Sequence, residues 1–322
     1  MTEPTASILI LTYNNLEYNR LCLESIFAKT ESPDFEVIVV DNASQDGTPQ
    51  FLEQIAGQHP NLRLILNPSN EGFARGNNQG AAIARGDILV LLNNDTVVTP
   101  GWLPGLIHYL QDPAVGMVGP VTNASGNETR IPVSYTDLDG LDAFAATVAQ
   151  QRPGQATEIR MLPLQCVALR KAVFAEIGPL DERFGAGMFE DDDYAVRMHQ
   201  KGYRILCAED VFIHHWGSAS FSKLSRPDYL KLFSENWKKF EDKWGQPWYP
   251  PQQRPELLPE QLRQYTYDIL KLSTQVLDLQ AEIEAIQQSN TWKLAQRLGR
   301  LRQAVAPPGS LRERIMQTLQ IR

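Results

Sequence analysis

The apolar run Ile88-Leu89-Val90-Leu91-Leu92 passes directly into Asn93-Asn94-Asp95-Thr96. A short apolar run with no polar alternation reads as a strand covered on both faces, as in a sheet flanked by helices. The same pattern recurs upstream. Ser7 to Leu11 reads as a strand ending at Thr12, Phe35 to Val40 as one ending at Asp41, and Leu62 to Leu66 as one ending at Asn67. Leu16 to Ala28, Pro49 to Ala56 and Asn77 to Ala84 read as the helices between them. Alternating strands and helices predict an α/β fold. Open α/β sheets bind ligands beyond the carboxyl ends of their strands, which singles out Thr12, Asp41, Asn67 and Asn93.

Past Leu110 the pattern loosens. Gly116 to Val118 reads as a short strand, Asn123 to Asp142 as a polar loop able to shape an acceptor site, and Leu162 to Leu169 as a strand. Lys171 to Ile177 and Asp193 to Gln200 read as helices, the second stopped by Gly202. These elements form one domain over residues 1–225. Residues 226–256 follow as a helical extension running into a Pro-rich linker. In residues 257–290 the apolar positions Leu262, Tyr265, Ile269, Leu272, Val276, Leu279, Ile283 and Ile286 step by three and four. That spacing suits either a coiled-coil homodimer or one amphipathic helix packed on its own domain. Residues 291–322 are basic, with Lys293, Arg297, Arg300, Arg302, Arg312, Arg314 and Arg322 against a single acid, Glu313. The tail suits peripheral contact with anionic lipid, and equally a solvated chain end.

A net charge of -8 over 322 residues argues against non-specific nucleic-acid binding, which needs dense Lys and Arg facing phosphates. The partner is expected to be a small molecule or glycan. Cys22, Cys166 and Cys207 are widely spaced and form no CxxC pair, which fits a reducing compartment. No window reaches the roughly 18 apolar residues that span a bilayer. The expectation is a soluble cytoplasmic protein, with the tail able to reach the inner face of the plasma membrane.

Four adjacent carboxylates, Glu190-Asp191-Asp192-Asp193, repel one another, so at least one should be protonated or paired. Asp193 can cap the following helix and pair with Arg197 at i+4, leaving Glu190 and Asp191 on the approach loop, facing a pocket. An acidic helix start that suits the helix dipole is the alternative. Asp95, at a strand end, can hold a divalent ion that also grips a diphosphate. His214 and His215 offer an imidazole to the same ion, or are structural. Gly72, Gly76 and Gly80 can let the backbone approach a ligand, with Arg75 reaching phosphate. Neither a dinucleotide fingerprint nor a Walker loop is present.

In order, Ile8 to Asn14, Val39 to Ser44, Asn70 to Asn78, Leu91 to Thr96, Gly178 to Phe184 and Phe189 to Asp193 resemble the motifs of family 2 glycosyltransferases. The resemblance implies the GT-A fold, with a mixed, mainly parallel central sheet, followed here by a helical and coiled-coil extension. It implies nucleotide-sugar contacts at Thr12, Tyr13, Asn14, Asp41, Arg75, Asn94 and Asp95, and a Mn or Mg ion on Asp95 and His215, with His214 the other imidazole available. Asn93-Asn94-Asp95 stands where the family carries DxD, and Asn93 supplies no charge. Asp191 falls at the general base and Glu190 beside it, toward the acceptor.

The implied activity is inverting transfer of a sugar from a nucleotide-diphosphate donor, dTDP-rhamnose or a UDP-sugar, to a glycan or lipid-linked glycan acceptor in cell-surface polysaccharide synthesis. A sugar nucleotidyltransferase would carry a Gly-rich basic loop after the first strand, and Thr12 to Asn19 has neither glycine nor lysine. A non-catalytic scaffold using the coiled coil would not need intact Asp191, Asp95 and Arg75.

Overall fold

A computed structural model of the chain describes residues 4–31, 34–217 and 225–250, together with positions 276 and 279. The chain divides into two compact units, Met1–Tyr265 and Thr266–Arg322. In the second, Val276 and Leu279 are helical and more than half exposed. The rest of the predicted coiled coil, the Pro-rich stretch beyond Pro250 and the basic tail lie outside the described residues.

In the first unit the expected alternation runs β1 (Ala6–Thr12), α1 (Leu16–Lys29), β2 (Phe35–Asp41), α2 (Thr48–Gln58), β3 (Leu62–Leu66), α3 (Phe73–Ile83) and β4 (Ile88–Asn93). It continues through β5 (Thr96–Val97), α4 (Trp102–Tyr109), β6 (Val115–Thr122), α5 (Leu141–Gln151), β7 (Ala156–Glu158), β8 (Cys166–Arg170) and α6 (Lys171–Ile177). Last come α7 (Glu190–Gln200), β9 (Arg204–His215) and α8 (Arg226–Trp244). The strands form one mixed sheet in the order β3-β2-β1-β4-β8-β6-β9-β5, with β7 paired to β9. The long ladders β1 to β2, β1 to β4, β2 to β3 and β6 to β9 are parallel. The ladders involving β5, β7 and β8 are antiparallel. Apolar clusters fill both faces, one beneath α1, α2 and α4, the other beneath α3, α5, α6 and α7. This two-sided burial explains why the strands read as continuous apolar runs.

Register aligns Thr12 with Asp41 and Leu11 with Asn93, so three strand ends share one edge. Because β8 runs antiparallel to both β4 and β6, and β9 runs parallel to β6, His215 ends on that same edge. Helix α7 feeds β9 through the short turn at Gly202, so its amino end lies over this edge too.

Several boundaries differ from the sequence reading. Helix α3 starts at Phe73 rather than Asn77, because Gly72, at φ +85°, makes the turn that opens it. The predicted loop Asn123 to Asp142 already contains a single 3₁₀ turn at Leu138–Gly140 and the first residues of α5. The strand expected over Leu162 to Leu169 forms only from Cys166, after Pro163 removes a ladder donor. Strand β6 is longer than Gly116 to Val118, since β9 pairs along it as far as Thr122. Among the described residues, no helix is long and apolar enough to cross a membrane.

Candidate active site

The turns that follow β1 and β2 are built from left-handed residues. Asn14, Asn15 and Ala43 have φ of 58°, 67° and 61°, and Asn tolerates that region better than most residues. Asp41 is buried, and both its oxygens accept from Ser44, one from the backbone N at 3.0 Å and one from the hydroxyl. Ser44 Oγ in turn accepts from Asn14 N at 2.6 Å, and Asn14 Oδ1 accepts from Gln45 N at 2.7 Å. The two turns are thereby fastened to each other, with Tyr13 left 43% exposed between strand end and solvent.

Beneath them Asn19, buried in α1, has all its amide groups occupied. Its Oδ1 accepts from Thr12 Oγ1 at 2.7 Å and from Asn94 Nδ2 at 2.6 Å, while its Nδ2 donates to Asn14 O at 2.9 Å and Thr48 Oγ1 at 3.1 Å. The side chains of Thr12 and Asn94 therefore point into the protein and support the site from below. Sequence reasoning missed Asn19; its one signal is a buried-face asparagine inside an otherwise ordinary helix.

The glycines of Asn70 to Gly80 do a different job from the one expected. A Cβ on Gly76 would lie 2.2 Å from Leu11 Cδ1, and one on Gly80 would touch Val40, Leu9 and Ile38. They let α3 settle onto the sheet rather than let the backbone approach a ligand. Gly72 is the exception, since a Cβ there would sit 2.3 Å from Gly185 O, which accepts from Phe73 N at 3.0 Å. This contact joins the donor-side turn to the loop before α7. Gly72→Ala combines a left-handed backbone with that clash, and we expect it to cost about 1–3 kcal/mol. A denaturant midpoint equal to wild type would show that the turn tolerates a side chain. Arg75 is 55% exposed and pairs with Glu71 at 3.2 Å.

Asp95 and His215 come together as expected. Their Oδ1 and Nε2 atoms are 3.2 Å apart, both residues are buried, and β5 pairs antiparallel with β9 to hold them side by side. Burial lowers the basicity of His215, but the hydrogen bond and charge of Asp95 outweigh it and raise its pKa. His215 Nδ1 is within 2.9 Å of Ala124 O, which orients the ring with Nε2 toward Asp95. His214 differs: its Nδ1 meets Tyr135 OH at 2.7 Å, and burial followed by the neighbouring His215 lowers its pKa to about 4. Among the described residues no third His, Cys, Asp or Glu joins a cluster able to enclose an ion. One carboxylate oxygen and one imidazole nitrogen converge, which suits an ion that takes its remaining ligands from a diphosphate and water. Trp216 follows, 40% exposed, its backbone N donating to Asp95 O at 3.0 Å and its ring edge-on to His214.

The carboxylate cluster is not on an approach loop. Phe189, at φ 75°, precedes the first turn of α7, and all four acids lie in that turn, so Asp193 is not the cap. The acids separate by direction. Asp193 is fully buried and pairs with Arg197 at 3.0 Å, as expected, and also with Lys243 at 2.5 Å, and it accepts from Trp244 Nε1 at 3.1 Å. Asp192 pairs with Arg160 at 3.3 Å, and burial and the charge of Asp191 raise its pKa to about 7. Glu190 is buried with Oε2 unpartnered, and burial and then Asp191 push its pKa well above the carboxylate range. Burial raises Asp191 too, but the helix N–H groups and Arg160 oppose it. Asp192 and Asp193 are thus taken up by cations, while Asp191 and Glu190 stand outside those ion pairs.

The segment before this turn is held from outside. Asn78 exchanges two 2.9 Å hydrogen bonds with Leu180, one in each direction. Asp181 pairs with Lys243 at 2.6 Å and Arg183 at 2.7 Å, and these partners outweigh burial and bring its pKa down to about 2. A cavity of about 520 Å³ lies between α5 and the segment Ile131 to Tyr135, within the loop expected to shape an acceptor site, and none of the candidate catalytic, donor-binding or metal residues lines it.

Residues 7–178 match the profile of the family described as Glycosyl transferase family 2. Curated relatives include Glycosyltransferase AglE of Haloferax volcanii, 27% identical over 66% of this chain and 67% of its own length. The O-antigen biosynthesis protein RfbC of Myxococcus xanthus is 28% identical over 77% of this chain. The chain spans only 20% of RfbC, and 28% of an uncharacterized Sinorhizobium fredii protein that it also matches. Among solved structures, the mannosyltransferase PcManGT of Pyrobaculum calidifontis, in complex with GDP-Man and Mn2+, superposes with a TM-score of 0.57 at 19% identity, over 95% of this chain and 82% of that one. GalNAc-T7 with UDP, GalNAc and Mn2+ gives 0.55 at 15% identity, over 74% and 50%. Both share the fold.

Proposed function

The chain belongs to glycosyltransferase family 2 and has its GT-A fold, and on that premise we propose that it is an inverting enzyme with Asp191 as its base. The donor is a nucleotide-diphosphate sugar, dTDP-rhamnose or a UDP-sugar, and the acceptor a glycan or lipid-linked glycan. Relatedness to an O-antigen biosynthesis protein supports a role in surface polysaccharide. The observation that carries the reading is the division of labour within one helical turn over the carboxyl edge of the sheet, where Arg160 takes up Asp192, and Arg197 and Lys243 take up Asp193, leaving Asp191 and Glu190 outside those ion pairs. Neighbouring carboxyls placed in different environments take different roles.

In the reaction the Asp191 carboxylate takes the proton of the acceptor hydroxyl as its oxygen bonds to the anomeric carbon. The bond from that carbon to the diphosphate oxygen breaks, its electron pair leaves with the nucleoside diphosphate, and in-line displacement inverts the centre. Glu190, as a neutral acid, can donate a hydrogen bond to the acceptor. Tyr13, the Asn14 turn and the exposed Arg75 face the donor, while Thr12, Asp41 and Asn94 hold those groups in place through Asn19 and Ser44. Asp95 and His215 would hold Mn or Mg, which supplies positive charge for the departing diphosphate. An imidazole ligand favours Mn, since Mg prefers an all-oxygen shell.

The test is a thermal-shift screen of dTDP-, UDP- and GDP-sugars with and without Mn. Occupancy at a hundredfold excess over Kd stabilises the fold by about 2.7 kcal/mol. We expect Mn to enlarge the shift in the wild type, and Asp95→Asn or His215→Ala to remove that Mn-dependent part. Equal Mn-dependent shifts in variants and wild type would sink the assignment of the pair. We carry the coiled-coil segment forward as a homodimer contact and the basic tail as a peripheral membrane contact. Sedimentation of a chain ending at residue 256, and liposome flotation of one ending at residue 290, test these in turn.

A further inference from the structure

We infer that Asn236, on α8 and beyond the family-matched residues, is a positioning residue that locks the loop carrying the base. The inference rests on the reading of Asp191 given above. Gly185, Gly187, Met188 and Phe189 have φ of 64°, 133°, 78° and 75°, so the chain enters α7 through a run of left-handed residues. Two of these, Met188 and Phe189, are not glycine, and such a conformation persists only where surroundings over-determine it.

Asn236 supplies that determination. It is fully buried, and its Nδ2 donates to Phe184 O and Gly187 O, each at 2.8 Å, with Met188 O at 3.3 Å. Its Oδ1 accepts from Lys239 Nζ at 2.9 Å, and the same ammonium donates to Arg183 O at 2.9 Å. The helix also grips the side chain of the residue that precedes α7. The Phe189 ring lies 5.1 Å from Phe233 and 5.9 Å from Phe240, both on α8, and 5.1 Å from Trp248 just past its end.

The amide chemistry is specific. Asp at this position would set a carboxylate against the carbonyls, Ser would supply one donor, and Ala would remove the side-chain donor from all of them, leaving Phe184 O only the long backbone bond from Gly187 N at 3.4 Å. The loop sets the direction of the first turn of α7, and with it the placement of the Asp191 carboxylate. A base displaced by about 1 Å can lose about a hundredfold in rate. The α8 helix is therefore a working part of the acceptor side, although sequence alone reads it as an extension outside the catalytic domain.

The full chain carrying Asn236→Ala, and the milder Asn236→Ser in case the first folds poorly, provide the test. The readouts are amide exchange over residues 184–192, turnover with the donor found by the nucleotide-sugar screen, and affinity for UDP and dTDP with Mn. We expect faster exchange confined to that loop and turnover lower by about 10- to 100-fold in Asn236→Ala. Asn236→Ser should fall between that variant and wild type, and nucleotide affinity should not change. Unchanged loop exchange, or turnover that falls only in proportion to the unfolded fraction, would overturn the inference. Failure of the base assignment is read separately, in an Asp191→Asn enzyme that keeps its turnover.

Discussion

Asp191→Asn is expected to lower turnover by about 10²- to 10⁴-fold, the usual worth of a positioned general base, while affinity for the nucleotide donor stays at the wild-type level. Asn preserves the size of the side chain and its place in the first turn of α7, but it cannot accept the acceptor proton. Glu190→Gln is the matched control. Glu190 is buried with its pKa pushed well above the carboxylate range, so a neutral amide copies the form it already holds, and turnover should stay within about threefold. If the two results were exchanged, Glu190 would be the base. The pH profile makes an independent check. Burial raises the pKa of Asp191, so the acid limb of the rate should lie at higher pH than that of an ordinary aspartate. The same shift bears on stability: ionising a group whose folded pKa is raised costs the folded state free energy as pH climbs through that pKa. Asp191→Asn should therefore match or exceed the wild-type melting temperature at pH 8, even as activity disappears. A donor affinity that fell with turnover would place Asp191 in the nucleotide site instead.

The first four strands and the helices between them are legible from sequence, because strands buried on both faces announce themselves as apolar runs and their carboxyl ends carry Thr12, Asp41, Asn67 and Asn93. Asp95 and His215 could be named from motif order, yet their 3.2 Å approach depends on the antiparallel seam between β5 and β9, which neither segment encodes alone. Strand β9 is harder to read, since Glu209 and Asp210 interrupt its apolar run. In the fold both are satisfied, Glu209 by Arg152 and Thr157, and Asp210 by the Tyr109 hydroxyl. The start of α7, at Glu190 rather than the expected Asp193, is illegible for a related reason. Phe189 is no capping residue, and the turn is fixed by Asn236, 49 residues downstream of Gly187. Local signals identify which residues are chemically expressive; long-range contacts decide where the helix carrying them begins.

Asp193 offers the opposite result within the same turn. It has no exposed side-chain surface, and it gathers Arg197, Lys243 and the Trp244 indole around one carboxylate. Removing one member of a buried ion pair costs about 3–5 kcal/mol when the remaining charge has nowhere to turn. Here the cations keep other partners, Lys243 on Asp181 at 2.6 Å and Arg197 on Pro179 O at 2.8 Å, so Asp193→Ala should fall near the lower figure. About 3 kcal/mol corresponds to a fall of about 6–12 °C in melting temperature for a unit of this size. Lys243→Met added to Asp193→Ala should cost less than the two single changes summed, because the pair they share is already broken; strict additivity would mean the contact contributes nothing. Turnover per folded molecule should remain within a fewfold of wild type, since residues two apart on a helix face different directions and Asp193 points away from Asp191. The first turn of α7 then separates into two functions that can be lost independently. Asp191→Asn leaves a stable protein that does not turn over, and Asp193→Ala leaves a less stable one that does. A single variant losing both in equal measure would show instead that the turn acts only as a structural cap.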